Sequence, residues 1–322
     1  MTISLLNPLE NPDWDNLLLT AERATFFHTS AWARVLSEAY GYRPLYFSSI
    51  ENGRLRGVIP VMEIDSFLAG KRGVSLPFTD ICHPLAETPA VFRALMEQLI
   101  RYGGSSGWSQ IEFKGGEGHF EDVPRLAEHF AHSLELGADE VGLLKAFRES
   151  TRRNIRHAQK AGVTVRLSRT RGDLEAFYRL HCLTRRHHGL PPQPWSFFVQ
   201  IHSHIIAVDK GFVALGMHGE EPVAGAVYFH FQGRALYKFG ASDRRRQHLR
   251  ASNLVMWEAI RWLKAKGYTS LNLGRTEPEN IGLLRFKRAW GGIETTLAYR
   301  RYVFRQRAFI AGRRRTGPFT VR

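Results

Sequence analysis

The sequence predicts an α/β fold made of two similar units, and two observations carry this prediction. A hairpin of two strands, a helix and a further strand recur in the same order along the 322 residues. The chain is also 43% apolar and 12% aromatic, which allows about two cores at roughly 150 residues per domain. The composition therefore argues against disorder over most of the length.

The first unit is predicted at residues 1–140. A helix, FFHTSAWARVLSEAYG, precedes the strand RPLYFSSI, and Asn52-Gly53 turns the chain into RLRGVIPVMEI. Asn-Gly between two apolar runs is a strong hairpin signal. The helix PAVFRALMEQLIRYG and the strand WSQIEFKG follow.

The same order returns in the second unit, predicted at residues 141–322. After the helix DLEAFYRLHCLTRRHHG come the strands GFVALGMHG, PVAGAVYFHF and ALYKFGAS, the helix ASNLVMWEAIRWLKAKG and the strand SLNLG. Gly57 and Gly225 hold the same place in RLRGVIPV and PVAGAVYF. We interpret this as an internal duplication, with chance recurrence of Gly-containing hairpins as the alternative. The basic tail 300–322 is expected to pack back on the first domain.

A basic helix is predicted over residues 143–162, between the two repeats. One face is apolar, and the other carries Lys145, Arg148, Arg152, Arg156 and Lys160. A solvated face is the ordinary fate of such charges, but their mutual repulsion favours a polyanionic partner. Both interpretations stay open.

The overall charge points in the same direction. Lys and Arg total 45 against 30 Asp and Glu, for a formal charge of +15, and residues 300–322 hold eight arginines and no acid. Nucleic acid, phosphate and anionic lipid all fit this excess.

Several classes of protein lose their usual support. Cys82 and Cys182 are too few for a disulfide framework, and we expect neither a signal peptide nor a membrane span. The expected location is the cytoplasm, with the inner face of the membrane as an open alternative. The 14 histidines form no metal motif, so no metal is expected, and Walker, GxGxxG and GxSxG patterns are missing.

Three segments resemble one family: LYKFGASDRRRQHLRASNLVMWEAIRWLKAKGYTSLNLGRTEPENIGLLRFKRAWGG, FHTSAWARVL and LPFTDICHPL. Together they resemble the FemAB-like branch of the GNAT acyltransferase superfamily. The resemblance implies two tandem GNAT-like domains, each with a mixed, mostly antiparallel sheet flanked by helices. It also implies transfer of an acyl or aminoacyl group to an amine on a cell-envelope, peptidoglycan or exopolysaccharide precursor.

The loop before the helix at Ala251 is the predicted donor site. Backbone N–H groups at a helix start and several guanidinium groups would receive a pyrophosphate there. The predicted donor-binding residues are Arg244, Arg245, Arg246, Gln247, Arg250 and Ser252. GNAT loops are Gly-rich and this loop has no Gly, which favours a bulkier or differently held donor. A charged loop that caps a helix is the structural alternative.

Lys287 is the first predicted catalytic residue, because the segment 286–291 matches the Phe-Lys-x-x-aromatic-Gly motif of the family. The resemblance gives this lysine the role of stabilising the tetrahedral oxyanion of acyl transfer. Pairing with Glu277 or Glu279 is the alternative. Predicted substrate contacts nearby are Arg275, Asn280 and Trp290, although Arg275 and Asn280 also suit ordinary loop hydrogen bonding.

In the first unit, Asp80 is the second predicted catalytic residue, with Thr79 as a substrate contact. Residues 76–80 stand where the family has Pro-x-x-Asp, and a carboxylate could orient the attacking amine or accept its proton. Asp80 suits a turn equally well.

No permanently bound cofactor is expected. The resemblance allows aminoacyl-tRNA as the donor, and acyl-CoA or an acyl carrier protein would also suit the basic surfaces. A non-catalytic protein that binds RNA or an anionic membrane is the competing functional hypothesis.

Overall fold

The computed structural model describes residues 2–67, 70–120 and 122–312. The chain divides into two compact units: unit 1 comprises Met1–Asn7, Arg43–His129 and Thr296–Arg322, and unit 2 comprises Pro8–Tyr42 and Phe130–Thr295. This division differs from the predicted single boundary at residue 140. Near the start of the chain Pro8–Tyr42 belongs to unit 2, and near its end the segment from Thr296 belongs to unit 1. Residues 313–322 of the predicted basic tail lie outside the described residues.

Unit 1 contains a mostly antiparallel sheet and one long helix. Its elements are β1 (Ser4–Leu6), β2 (Arg43–Glu51), β3 (Arg54–Ser66), β4 (Gly70–Val74), β5 (Leu85–Ala86), α3 (Pro89–Ser105), β6 (Gln110–Lys114), the end of β13 (Ile293–Val303) and β14 (Ala308–Phe309). The strand order is β1-β2-β3-β4-β6-β13. Within it, β4 and β6 are parallel, and residues 299–303 of β13 pair antiparallel with β6.

The predicted hairpin and helix of unit 1 are present. Asn52 and Gly53 have φ of 51° and 72°, the left-handed pair that a tight hairpin turn requires. Thr88 caps α3, with its side chain accepting from the Val91 N–H. The helix buries Leu95 and Leu99 against the sheet.

Unit 2 contains a second mixed sheet flanked by helices. Its elements are α1 (Trp14–Leu19), α2 (Ser30–Tyr40), most of β7 (Ala127–Glu135), α4 (Glu140–Ala146), α5 (Glu149–Lys160), β8 (Val163–Ser168), α6 (Arg171–His187), α7 (Trp195–Ile201), β9 (Gly211–His218), β10 (Glu221–Phe231), β11 (Arg234–Ser242), α8 (Ala251–Ala265), β12 (Ser270–Thr276) and α9 (Ile281–Arg288). The strand order is β7-β12-β11-β10-β9-β8, and β11 and β12 are parallel.

The two units repeat one arrangement. A hairpin (β2-β3 or β9-β10), a third strand (β4 or β11), a helix (α3 or α8) and a parallel strand (β6 or β12) occur in the same order. Gly57 and Gly225 lie in the second strand of each hairpin, where an added Cβ would come within 2.7 Å and 2.9 Å of a neighbouring side chain. The predicted fold class of two tandem α/β units is confirmed.

The predicted helix over 143–162 is two helices, because the chain breaks at Phe147. Phe147 takes an extended conformation and is buried in the core of unit 2. Arg152 stabilises the break by donating to the carbonyl oxygens of Leu144, Lys145 and Phe147 at 3.1–3.2 Å. Along the described chain, none of the helices is both long and apolar enough to span a bilayer.

Candidate functional site

The loop between β11 and α8 lines a cleft of about 520 Å³ in unit 2. Arg246, Gln247, Arg250 and Ser252, four of the predicted donor-binding residues, lie in its wall. The far wall includes Gly282 and Phe286 of α9. The cleft therefore joins the predicted donor loop to the helix that carries Lys287.

Residues 244–249 form a 3₁₀ turn that leads into α8 through Arg250. Arg250 has φ +56° and ψ 24°, the left-handed conformation that costs a non-Gly residue about 1–2 kcal/mol. Because this conformation changes the direction of the chain, α8 begins at Ala251 with its N-terminal end in the cleft wall. Helix N-termini attract anions through their unbonded N–H groups and the helix dipole.

The arginines of the loop differ in their partners. Arg245 forms an ion pair with Asp243 at 2.9 Å, is highly exposed and does not line the cleft. Arg246 lies 2.9 Å from Glu221. Arg250 has no carboxylate partner in the described chain, which makes it the cleft cation most available to a ligand.

A smaller cleft of about 220 Å³ adjoins the first and shares Ser242, Asp243 and Gln247 with it. Arg244, the remaining predicted donor-binding residue, lines this second cleft, and its NH1 atom lies 3.0 Å from Nε2 of His187. Arg244 and Arg250 therefore do not share one pocket.

Strands β11 and β12 separate beside this region. Their parallel pairing covers Arg234↔Ser270 to Leu236↔Asn272, and in the described structure both strands continue without pairing to each other beyond that point. Lys238 lies at a bulge in β11, since Val227 pairs with Phe239 and Tyr228 with Tyr237. The separation leaves backbone groups of both strands open to other partners.

Lys287 supplies hydrogen bonds to β12 at this separation. Its Nζ donates to the carbonyl oxygens of Gly274 at 2.9 Å and Arg275 at 3.0 Å, and the residue is only 3% exposed. Gly274 has φ +73°, and its N–H donates to the Asn272 side chain at 2.7 Å. A local kink in β12 thus presents two carbonyls that fix a buried ammonium group.

Three residues that sequence analysis missed lie around this lysine. His132 on β7 is 1% exposed, and its Nε2 lies 2.8 Å from Oε2 of Glu294. Arg288 donates to both carboxylate oxygens of Glu294 at 2.6 and 2.8 Å. Burial lowers the pKa of His132, and the nearby charges of Lys287 and Arg288 lower it further, whereas Glu294 acts in the opposite direction.

The predicted substrate contacts near Lys287 have structural partners. Arg275 lies 3.0 Å from Glu277, and the Asn280 side chain caps α9 by accepting from the Leu283 N–H at 3.1 Å. Trp290 is 0% exposed and packs against Phe147. Trp290 therefore has a packing role, and we do not include it in the proposed site.

The glycine that ends the 286–291 motif is required for steric reasons. Gly291 has φ +72°, and a Cβ atom there would lie 2.5 Å from the carbonyl oxygen of Ala146. Only glycine allows this close approach, which holds the end of α9 against α4.

In unit 1, Asp80 ends a strained segment. Leu76 and Phe78 have φ of +54° and +57°, which is unusual for such bulky side chains. The backbone carbonyl of Asp80 accepts a 2.7 Å hydrogen bond from the Tyr299 hydroxyl, and Thr79 is 4% exposed. Strained backbone that is held in place by its surroundings is common at functional sites.

Lys114, which sequence analysis also missed, holds the other end of this segment. It is 8% exposed, and its Nζ donates to the Leu76 carbonyl at 3.2 Å. Burial raises the pKa of the neighbouring Cys82 thiol to about 12, so this thiol is not poised as a nucleophile. No group of three or more potential metal-ligating side chains occurs among residues 2–67, 70–120 and 122–312.

Comparison with known protein sequences gives one domain match. Residues 145–288 match the profile of the acetyltransferase (GNAT) domain, Acetyltransf_6. No curated protein sequence matches the chain.

Among the solved structures that match, three share the fold over most of their length. FemX aligns with a TM-score of 0.73 and 14% identity over 95% of this chain and 98% of its own. A tandem GNAT protein from the clavulanic acid biosynthesis pathway aligns with 0.59 and 10% identity over 94% and 98%. The C-terminal domain of a putative lysylphosphatidylglycerol synthetase from Agrobacterium fabrum aligns with 0.58 and 16% identity over 89% and 90%.

At these identities the structural matches establish the fold, and the GNAT profile match covers the segment that holds the cleft and Lys287. Residues 145–288 of the chain therefore match an acetyltransferase (GNAT) domain, and the chain as a whole shares its fold with FemX and with the tandem GNAT protein.

Proposed function

We propose that this protein is an acyltransferase that transfers an acyl or aminoacyl group to an amine on a cell-envelope, peptidoglycan or exopolysaccharide precursor. The observation that carries the proposal is the buried ammonium of Lys287. This residue belongs to α9, which lines the 520 Å³ cleft, and two carbonyls of β12 hold its ammonium group in place. A cation fixed before the reaction stabilises developing negative charge without reorganising. The envelope acceptor is supported by the family resemblance and by the lysylphosphatidylglycerol synthetase match, whose name refers to an aminoacylated lipid.

In the proposed reaction the amine nitrogen attacks the donor carbonyl carbon, and the bond from that carbon to the sulfur or oxygen of the donor breaks. The amine gives up one proton, and the departing thiolate or alkoxide takes one up. Lys287 stabilises the oxyanion of the tetrahedral intermediate, and Asp80 orients the amine or accepts its proton. Arg246, Gln247, Arg250 and Ser252 hold the donor in the cleft.

The remaining assignments follow the same division of roles. Arg244 and Arg245 are secondary donor contacts, and Arg275 and Thr79 contact substrate, while Asn280 acts through its cap on α9. The donor is aminoacyl-tRNA, acyl-CoA or an acyl carrier protein, with no permanently bound cofactor. We expect the reaction in the cytoplasm, where the inner face of the membrane would give access to an envelope precursor.

A transfer assay tests this function. Purified protein is incubated with labelled aminoacyl-tRNA, acetyl-CoA or an acetylated carrier protein, together with muropeptide and amino-sugar acceptors. We expect label to appear in an amide bond on one acceptor. Binding to RNA or anionic vesicles with no transfer from any donor would instead support the non-catalytic hypothesis.

A further inference from the structure

Helix α5 carries a continuous cationic stripe on its outer face. Arg153, Arg156, His157 and Lys160 are all exposed and stand at positions i, i+3, i+4 and i+7. At 1.5 Å of rise per residue, the stripe extends about 10 Å along the helix.

The stripe lacks neutralising partners. In the described chain, Arg153, Arg156 and Lys160 form no ion pair, whereas Arg152 on the inner side is engaged with three carbonyls. Like charges at these spacings repel and destabilise the helix. An anionic partner that binds the stripe would offset this repulsion, which explains why the charges are present.

The stripe is joined to the donor cleft. His157 Nε2 lies 3.0 Å from the carbonyl oxygen of His248, within the 244–249 turn that lines the cleft. A partner on α5 is therefore adjacent to the turn that lines the cleft.

The charges inside the cleft restrict what enters it. Asp243 lies in its wall, Arg246 is paired with Glu221, and Arg250 is the lining cation without a carboxylate partner in the described structure. Coenzyme A would bring a diphosphate and a further phosphate, which this lining neutralises poorly. A phosphopantetheine arm brings a single phosphodiester, which one guanidinium group matches.

We propose that the cationic stripe of α5 docks an acidic carrier protein that delivers the acyl group on a phosphopantetheine arm. This inference rests on the proposed function and specifies its donor. The amine attacks the thioester carbonyl, the C–S bond breaks, and the pantetheine thiolate takes up the proton that the amine loses. The acidic carrier protein, which holds most of the donor's negative charge, binds α5 outside the cleft. The single phosphodiester of its arm binds Arg250.

Charge reversal tests the docking surface. The triple variant Arg153→Glu, Arg156→Glu and Lys160→Glu is compared with a control of the same charge change, Arg93→Glu, Arg101→Glu and Arg179→Glu, at exposed positions on α3 and α6. We expect the α5 triple to raise KM for an acetylated bacterial acyl carrier protein by at least about tenfold, with kcat retained. KM for acetyl-pantetheine should not change, and the control should resemble the wild type.

A binding measurement keeps the test independent of turnover. Fluorescence anisotropy with a labelled, phosphopantetheinylated acyl carrier protein should show salt-sensitive binding that the α5 triple removes and the control keeps. Absence of wild-type binding overturns the docking proposal, as does an equal loss in both triples.

Transfer assays with other donors distinguish the docking proposal from the proposed function. Transfer from acetyl-CoA or aminoacyl-tRNA with no preference for the carrier protein keeps the proposed function and overturns the docking proposal. Loss of aminoacyl-tRNA binding in the α5 triple alone would assign the stripe to RNA and also overturn it. No transfer from any donor overturns the proposed function.

Discussion

His132 and Glu294 are in direct contact: the imidazole Nε2 lies 2.8 Å from the carboxylate, which Arg288 binds through two nitrogens. Glu294, at the start of β13, therefore links His132 on β7 to Arg288 at the end of the helix that carries Lys287. The contact also places a titratable group with a lowered pKa beside the proposed catalytic ammonium.

We expect this histidine to make stability depend on pH. Because burial lowers the pKa of folded His132 below the usual 6.5, the unfolded chain binds more protons at this residue between the two values. The contribution of His132 to the free energy of unfolding is complete above the pKa of the unfolded state. It declines as the pH falls from that value toward the pKa of the folded state. Melting temperatures measured between about pH 8 and pH 5 should fall less steeply for His132→Gln and His132→Phe than for the wild type.

An exposed histidine provides the control for this measurement. The variant His188→Gln replaces a histidine at the surface and is measured in parallel. An unchanged slope in both His132 variants would show that His132 is not the group responsible.

Two substitutions of Arg250 should differ in stability but have the same effect on donor binding. Its φ of +56° is strained for arginine and easy for glycine, so Arg250→Gly should be more stable than Arg250→Ala by about 1 kcal/mol. Both variants remove the guanidinium group and should raise KM for the donor. Denaturant titration and steady-state kinetics measure the two effects.

Two outcomes would contradict this account of Arg250. Equal stability of the Gly and Ala variants would mean that the left-handed conformation carries no strain. An unchanged donor KM in both variants would remove Arg250 from the donor site.

Asp80 and Tyr299 test the proposed acceptor side in unit 1. Asp80→Asn should lower kcat with little loss of stability, because the Tyr299 hydroxyl binds the backbone carbonyl of Asp80 and that bond survives the substitution. Tyr299→Phe should lower kcat less and reduce stability by about 1 kcal/mol. Kinetics and thermal melts distinguish the two.

The exposed Asp65→Asn variant serves as the matched control for Asp80→Asn, since Asp65 pairs with Lys71 at the surface. Wild-type kcat in Asp80→Asn would show that Asp80 is a turn residue.

Local features of the fold were predictable because their signals lie within a few residues. Asn52-Gly53 specifies its hairpin, and the strand, loop and helix around residues 243–251 occur where the apolar pattern predicted them. The break at Phe147 was not predicted, because apolar spacing continues across it and the carbonyls bound by Arg152 are visible only in the folded structure.

Contacts between segments that are far apart in the chain could not be predicted from a single sequence. Strand β13 pairs with β6, and His132 meets Glu294, through tertiary packing of residues far apart in the chain. The 286–291 motif predicts Lys287, but the Gly274 and Arg275 carbonyls that hold this side chain depend on a kink in β12. The catalytic roles of Lys287 and Asp80 stay predictions.

The most direct test of the central claim is the single-turnover rate of acyl transfer in Lys287→Met, with Lys287→Arg as the variant that retains charge and the exposed Lys266→Met as the control. If Lys287 stabilises the oxyanion, Lys287→Met should bind donor normally and lose about a hundredfold or more in rate. Lys287→Arg should recover part of that loss, and Lys266→Met should match the wild type. A folded Lys287→Met protein that transfers at the wild-type rate would contradict the account.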